Sequence, residues 1–355
     1  MNRIGEPSMD WLILSPFVKT TEPGWLMPFI DEQVHTTRQV PALYEHDRSR
    51  VVSSGRQWLD YLRHGWTGFR QSFGKRPTGI VTAFPQLAVI VALLKRLSGR
   101  KNLPLIAWCF NLAQPYGGIK GTLARFCLPA VDLFVVHSRA EIAIYSDWLQ
   151  LPPERFVFVP LSAELPAGAA WAEQPDAPYI VALGTANRDY ALLAEAAGQL
   201  GYPTIIVAGQ HATAHIEPPP CVSFRSGLTL AQCHQLALHS RINVIPIADV
   251  DAPSGQVTVI ESMMRGVPLV ATACAGTNDY IADGVDGILV PPKDVPAMVS
   301  ALRTVWENAE LRLALSQGAR QASLDKFSFP AAAARLTDLM NQLAHQQAPG
   351  HRHRA

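Results

Sequence analysis

The residues best suited to chemistry in this 355-residue chain are Asp251, Ser254, Gly255, Gln256, Val257, Thr258 and Glu261. A β-branched run, INVIPI (Ile242–Ile247), precedes them and predicts a buried parallel strand. The Asp, Pro, Ser and Gly between Ala248 and Gly255 predict a loop. From Gln256 onward Val257, Ile260 and Met264 recur at helical spacing. Gly266 stands where a left-handed helix end belongs, and Pro268 blocks continuation. LVAT (Leu269–Thr272) is the next expected strand. Such a unit sets a polar loop at the carboxyl end of its first strand, where open α/β sheets bind ligands. The N–H groups of Gln256, Val257 and Thr258 would open the helix without intrahelical partners. With the positive end of the helix dipole behind them, they suit a phosphate or diphosphate. Glu261 is the only charge between Ser254 and Met264, one turn further in, and can accept two hydrogen bonds from a vicinal diol such as ribose. The plainer reading makes Ser254 a helix cap and Glu261 a solvated helix residue.

Further residues extend the pattern: Gly276-Thr-Asn-Asp279-Tyr-Ile, then Asp283-Gly284-Val-Asp-Gly287-Ile-Leu-Val-Pro-Pro292. From about Tyr179 to Asp294 the chain resembles the nucleotide-sugar-binding half of GT-B glycosyltransferases, in particular the retaining glycosyltransferase family 4. Glu261 matches the second of two family glutamates, Gly266-Val-Pro268 the glycine–proline step, and Asp279 a later acid. Pro253 stands where the first glutamate belongs. Arg188 matches a basic residue that grips the donor diphosphate at a helix start, after strand YIVALG (Tyr179–Gly184) and loop Thr185-Ala-Asn187. An arginine can fork onto two phosphate oxygens, although it could instead pair with Asp189 or stay solvated. The resemblance thus implies Arg188 and Glu261 as catalytic residues. It gives Gly184, Arg188, Asp251, Ser254, Gly255, Gln256, Val257, Thr258 and Glu261 as the donor set. The resemblance implies a mechanism in which protein groups neutralise the leaving diphosphate, so no metal is expected, and no cofactor beyond the nucleotide-sugar substrate.

Length and composition frame these motifs. A chain of 355 residues exceeds one ordinary core, and 48% apolar residues exclude disorder. To Ala170 there are 18 basic and 13 acidic residues, against 12 and 16 beyond it. That modestly basic first half suits an anionic membrane surface or a diphosphate-linked acceptor, and is too weak for nucleic acid. The five cysteines (Cys109, Cys127, Cys221, Cys233, Cys274) have no metal spacing and read as reduced thiols of a cytoplasmic protein. Glu6, Pro7 and Asp10 interrupt any signal-like start, and the longest apolar run, Leu87–Leu94, is too short to span a bilayer.

Strands and helices alternate through the first half. Trp11–Leu14, Gly79–Phe84, Leu103–Phe110, Asp132–His137 and Phe156–Leu161 read as strands. Pro85–Leu97, Thr122–Cys127 and the helix capped by Ser138-Arg-Ala-Glu141 read as helices, which predicts a doubly wound parallel sheet. Loops within Val18–Arg50 and the Gly-rich turn Asn111–Gly121 offer His35, Arg38, His46 and Asn111 as acceptor-site candidates. Asn111 stands where many relatives have a histidine, and no general base is assigned. Arg56–Phe73 predicts a helix with a stripe of Trp58, Leu62, Trp66, Phe69 and Phe73 beside Arg56, Arg63, Arg70, Lys75 and Arg76. Packing on the sheet is the expected use of that stripe; contact with a membrane surface is the alternative.

The expectation is therefore an α/β chain of the GT-B class, two Rossmann-like parallel-sheet domains facing across a cleft. The expected boundaries are 1–165 for the acceptor-side domain, 166–178 for a linker, 179–330 for the nucleotide-sugar domain, and 331–347 for a last helix returning to the first domain. The resemblance implies a hexosyltransferase-type enzyme moving sugar from a UDP- or GDP-sugar to a glycan or lipid-linked acceptor in surface or exopolysaccharide biosynthesis. It would be cytoplasmic, with a peripheral position at the inner face of the membrane as an option. One rival is a degenerate GT-B subunit that binds without turnover. The other, a nicotinamide-dependent oxidoreductase, is disfavoured because no Gly-x-Gly-x-x-Gly follows a strand.

Overall fold

Short β-branched runs and amphipathic helices alternate along the chain and build two parallel sheets. The computed structural model describes residues 8–46, 55–74, 76–112, 114–166, 168, 170–184, 186–248, 251 and 253–347. Lys75, Thr185 and loop residues 47–50, singled out above, lie outside the described residues, as do Glu6 and Pro7. The chain divides into one unit of Met1–Val159 with Phe329–Ala355, and a second of Pro160–Ser328.

The first unit holds β1 (Asp10–Leu14), β2 (Thr36–Val40), α1 (Gly55–Gln71), β3 (Thr78–Ala83), α2 (Pro85–Leu97), β4 (Leu105–Trp108), α3 (Gly118–Cys127), β5 (Leu133–Val136), α4 (Arg139–Leu149) and β6 (Phe156–Phe158). Its strands are parallel in the order β2-β1-β3-β4-β5-β6. A parallel crossover is right-handed, so the steps from β2 through β6, all in one direction, put α1 to α4 on one face. Leu12, Ile80, Leu105 and Phe134 meet them there. Trp11, Ile13, Ile106 and Val135 point to the other face, which the final helix covers with Ala333, Leu336 and Met340. The Ser138–Glu141 capping box forms as the spacing predicts, with Glu141 accepting from the Ser138 N–H at 2.9 Å.

The second unit holds β7 (Ile180–Leu183), α5 (Tyr190–Leu200), β8 (Thr204–Val207), α6 (Gln210–Thr213), β9 (Val222–Arg225), α7 (Leu230–His239), β10 (Ile242–Ile245), α8 (Gln256–Arg265), β11 (Leu269–Thr272), β12 (Ile288–Val290), α9 (Val295–Glu307) and α10 (Ala309–Ala322). Strand order is β12-β11-β10-β7-β8-β9, again parallel. A π turn, Ser323–Phe327, then leads into the chain's last helix, α11 (Phe329–Gln347). The segment 160–177, Pro- and Ala-rich, does not hang free. Trp171 N–H donates to Arg265 O, its indole to Ser240 O, and Glu173 pairs with Arg241 and Arg312.

Three expectations are corrected. α3 begins at Gly118, inside the stretch read as a Gly-rich turn. Val257 is 61% exposed, and α8 instead buries Val259, Ile260, Met263 and Met264. On α1 only Phe69 of the aromatic stripe is buried, while Trp58, Leu62, Trp66 and Phe73 face outward. Gly65 and Gly68 mark the inner face: a Cβ would come 2.6 Å from Ile90 at the first and 2.7 Å from Leu14 at the second. Close approach of the helix backbone, not ring size, decides which side faces the sheet. No helix among the described residues is long and apolar enough to cross a membrane.

His137, at the end of β5, supplies a stability prediction. Its Nδ1 lies 2.7 Å from Val159 O, and burial pushes its pKa from 6.5 down to about 4. The unfolded chain therefore takes up a proton first as the pH falls below 6.5, so stability present above that value is lost progressively towards about pH 4. The loss should be on the order of 3 kcal/mol. His137→Gln should flatten the fall in urea midpoint across that window; equal slopes in both proteins would exclude His137 as the source.

Candidate functional site

The second sheet changes direction between β7 and β10. From β7 the chain moves outward to β8 and β9; from β10 it moves the opposite way to β11 and β12. Loops leaving the carboxyl ends of these two strands diverge, and the gap between them is where such sheets take ligands. One loop is Gly184–Asp189. The other is 246–255, of which Asp249, Val250 and Ala252 lie outside the described residues.

Backbone contacts lace the two loops together. Asp189 N–H donates to Pro246 O at 3.0 Å, and Arg188 pairs with Ile247 as an isolated antiparallel bridge. Asn187 Nδ2 donates to Ser254 Oγ at 2.8 Å. The Ser254 hydroxyl is thus engaged by Asn187 and does not cap α8. Gly255 is the N-cap, left-handed at φ 86°, and offers no side chain to the helix start. The first backbone bond of α8 runs from Val259 N–H to Gly255 O, so the N–H groups of Gln256, Val257 and Thr258 precede the ladder. Gly276 lets the following loop press against this one, since a Cβ there would come within 2.2 Å of the Ser254 backbone. Asp251 is exposed on the same loop, and Asp279 is half-buried in the segment after β11.

Arg188 is the cation of this corner. It lies two residues before α5, in the bridge, and not on the helix itself. Its Nη1 donates to Ala186 O at 2.7 Å and its Nη2 to Thr258 Oγ1 at 3.2 Å. Gly184, at φ 138°, makes room: a Cβ would stand 2.8 Å from the guanidinium. Burial pushes the Arg188 pKa down, but from so high a value that the charge stays. Asp189 is occupied as the N-cap of α5, accepting from Leu192 N–H at 3.0 Å. A guanidinium and an uncapped helix start therefore converge on Thr258, which is an arrangement for a di-anion.

Glu261 sits one turn beyond Thr258, its side chain 37% exposed. Its Oε2 lies 3.5 Å from His234 Nε2 on α7. Arg265 Nη2 stands 3.0 Å from His234 Nδ1. A guanidinium only donates, so Nδ1 accepts and the ring hydrogen is left on Nε2, towards Glu261. His234 escapes a reading of the sequence because it lies on a different helix, at no fixed spacing from Glu261. Among the described residues no group of three or more His, Cys, Asp and Glu side chains is placed to hold a metal ion.

The four acceptor candidates of the first unit are not brought together. His35 is fully buried before β2, edge-on to Trp11 at 6.1 Å, and is withdrawn from solvent. Arg38 is exposed in the middle of edge strand β2. His46 and Asn111 instead lie at carboxyl ends of strands. Asn111 is exposed after β4. His46 meets Tyr61 OH at 2.9 Å and packs on Phe17 and Phe84, which follow β1 and β3. β1 and β3 flank the switch point of the first sheet, so His46 occupies the corresponding corner of this unit. Phe84 has φ 75° and ψ 148°, a region nearly confined to glycine and costing about 1–3 kcal/mol.

Comparison with known proteins bears on the fold and on residues 177–308. Residues 177–308 match the family described as Glycosyl transferases group 1. An 87-residue stretch is 32% identical to the alpha-D-kanosaminyltransferase of Streptomyces kanamyceticus, covering 24% of this chain and 22% of that protein. Among solved structures, the sucrose-phosphate synthase of Thermosynechococcus elongatus is similar with TM-score 0.64 at 16% identity, over 94% of this chain and 99% of that one. Anabaena HepE in complex with UDP is similar with TM-score 0.61 at 14% identity, over 94% and 100%. These structural likenesses concern the fold. The family match is confined to residues 177–308, and the chain as a whole is built on the GT-B fold.

Proposed function

We propose that the protein transfers a sugar from a UDP- or GDP-sugar to a glycan or lipid-linked acceptor, with retention, in surface or exopolysaccharide assembly. The convergence of Arg188 and the first turn of α8 on Thr258 carries this reading. Charge develops on the diphosphate as the sugar leaves, and preorganised donors aimed at it lower the barrier. Arg188 and the N–H groups of Gln256, Val257 and Thr258 would take that charge, so the reading calls for no metal and no cofactor. Glu261 would accept the ribose hydroxyls, and Asp251 and Ser254 would meet the sugar where Pro253 cannot. HepE has been crystallised with UDP and with UDP-glucose, which supports a uridine nucleotide as first choice. For the acceptor, His46 with Phe17 and Phe84 replaces the scattered set of the sequence reading; an aromatic floor with one polar ring suits a sugar. The protein would work in the cytoplasm at the inner face of a membrane, touching it through Arg56–Phe73.

A hydrolysis assay over nucleotide-sugars tests turnover. Slow release of UDP or GDP from one sugar donor, saturating in that donor, is expected. The second reading, a GT-B subunit that binds without turnover, is favoured by Pro253 in place of the first glutamate and Asn111 in place of a histidine. Binding of a donor with no release in the presence of candidate acceptors would select it.

His234 yields a smaller prediction. As the residue that positions Glu261, His234→Ala should weaken nucleoside diphosphate binding by about 0.5–1.5 kcal/mol, the net worth of one such contact. In a double-mutant cycle with Glu261→Ala the two losses should overlap, giving a coupling above about 0.5 kcal/mol. Additive losses in calorimetry would mean that His234 merely packs.

A further inference from the structure

Charge in this chain is balanced overall, 30 basic against 29 acidic residues, yet residues 55–127 hold eleven Lys and Arg and a single acid, Asp60. Helices α1, α2 and α3 all lie in this span. They pack side by side on one face of the first sheet, α1 on α2 and α2 on α3. Their outer sides are unusually apolar. Trp58, Leu62, Trp66 and Phe73 are 38–62% exposed, Leu97 at the end of α2 is 70% exposed, and Ile119, Leu123 and Phe126 on α3 are 44–90% exposed. Arginines tie these patches together: Arg100 lies 4.2 Å over the Phe73 ring and Arg96 4.4 Å over Phe126. Lys95 is turned inward onto Asp132, but Arg63, Arg70, Arg100, Lys101, Lys120 and Arg125 remain at or near the surface.

We propose that the outer faces of α1, α2 and α3 together form one docking surface for an anionic lipid bilayer. Large exposed rings settle at headgroup depth, and the surrounding cations meet anionic lipid. Neither signal alone holds a protein firmly on a membrane; the two combined do. The buried side of α1 is a different set, Gln57, Tyr61, His64, Gly65, Gly68 and Phe69. The surface extends well beyond the one helix of the sequence reading, because α3 contributes both an apolar stripe and two cations, and the arginines at the end of α2 bridge the helices. It rests on and deepens the membrane contact proposed above for Arg56–Phe73, and its test involves neither donor nor turnover, so its failure is distinguishable from failure of the glycosyl-transfer reading.

Co-sedimentation with vesicles tests it, comparing phosphatidylcholine alone with mixtures of rising phosphatidylglycerol. Binding should rise with phosphatidylglycerol and fall with added salt as screening shortens the reach of the charges. K120E with R125E on α3, and separately L62S with W66S on α1, should each lower partitioning by about tenfold or more. Each double variant should keep its melting temperature and nucleotide affinity. The α3 pair changes only exposed charges, so it decides the matter even if the α1 pair fails to fold. Unaltered partitioning of the folded α3 pair would overturn the three-helix surface. Equal binding to phosphatidylcholine alone would overturn the electrostatic part. No binding to any vesicle, or tighter binding to a single-stranded oligonucleotide in the same salt, would overturn the proposal.

Discussion

Replacing Arg188 by alanine is expected to lower kcat for donor cleavage by about two to three orders of magnitude, the usual cost of removing one preorganised donor from a developing charge. The donor KM should rise much less. The reason lies in how the guanidinium is held. Gly184 clears the space around it, and Ala186 O and Thr258 Oγ1 fix its orientation before any ligand arrives. A group already oriented gains most where charge grows most, which is in the transition state. Arg188→Lys keeps the charge but loses the fork, and should fall between the two. Steady-state kinetics with circular dichroism of each variant check this. A loss appearing wholly in KM would mean that Arg188 only binds the ground state.

Replacing Glu261 by alanine should weaken nucleoside diphosphate binding by about 1.5–3 kcal/mol, the range for a hydrogen bond to a charged group. The fold should survive, because the Glu261 side chain is partly exposed. The loss should largely vanish when the ribose hydroxyls are absent from the ligand, so the 2′,3′-dideoxy diphosphate separates this role from a general electrostatic one. Unchanged calorimetric affinity in a folded variant would remove Glu261 from the site.

Much of the donor corner is visible in the residues themselves. A β-branched run, a Gly-bearing loop and a helix closed by Gly266 mark a strand–loop–helix unit, and each appears in the structure. What escapes is whatever depends on facing. Val257, Ile260 and Met264 and the observed Val259, Ile260, Met263 and Met264 are both helical sets, and only the sheet beneath decides between them. The α1 stripe misleads for a similar reason: two glycines mark the buried side, and large rings the outer one. Loop residues are the hardest to place. His35 and His46 are both histidines in an aperiodic stretch, yet one is sealed against Trp11 and the other sits at a switch point. Trp171 carried a signal that the Pro- and Ala-rich composition around it hid, since a tryptophan in a tether has a docking site to find.

The most direct measurement of the central claim is a calorimetric comparison of UDP, GDP, UMP and uridine on the wild-type protein and on Arg188→Ala. If Arg188 and the start of α8 hold a diphosphate, one of the two diphosphates should bind far more tightly than UMP, and uridine should bind least. That advantage should shrink by at least about tenfold in the variant, the equivalent of 1.4 kcal/mol. Neither diphosphate binding more tightly than UMP and uridine, or a diphosphate preference that survives the loss of Arg188, would contradict the account.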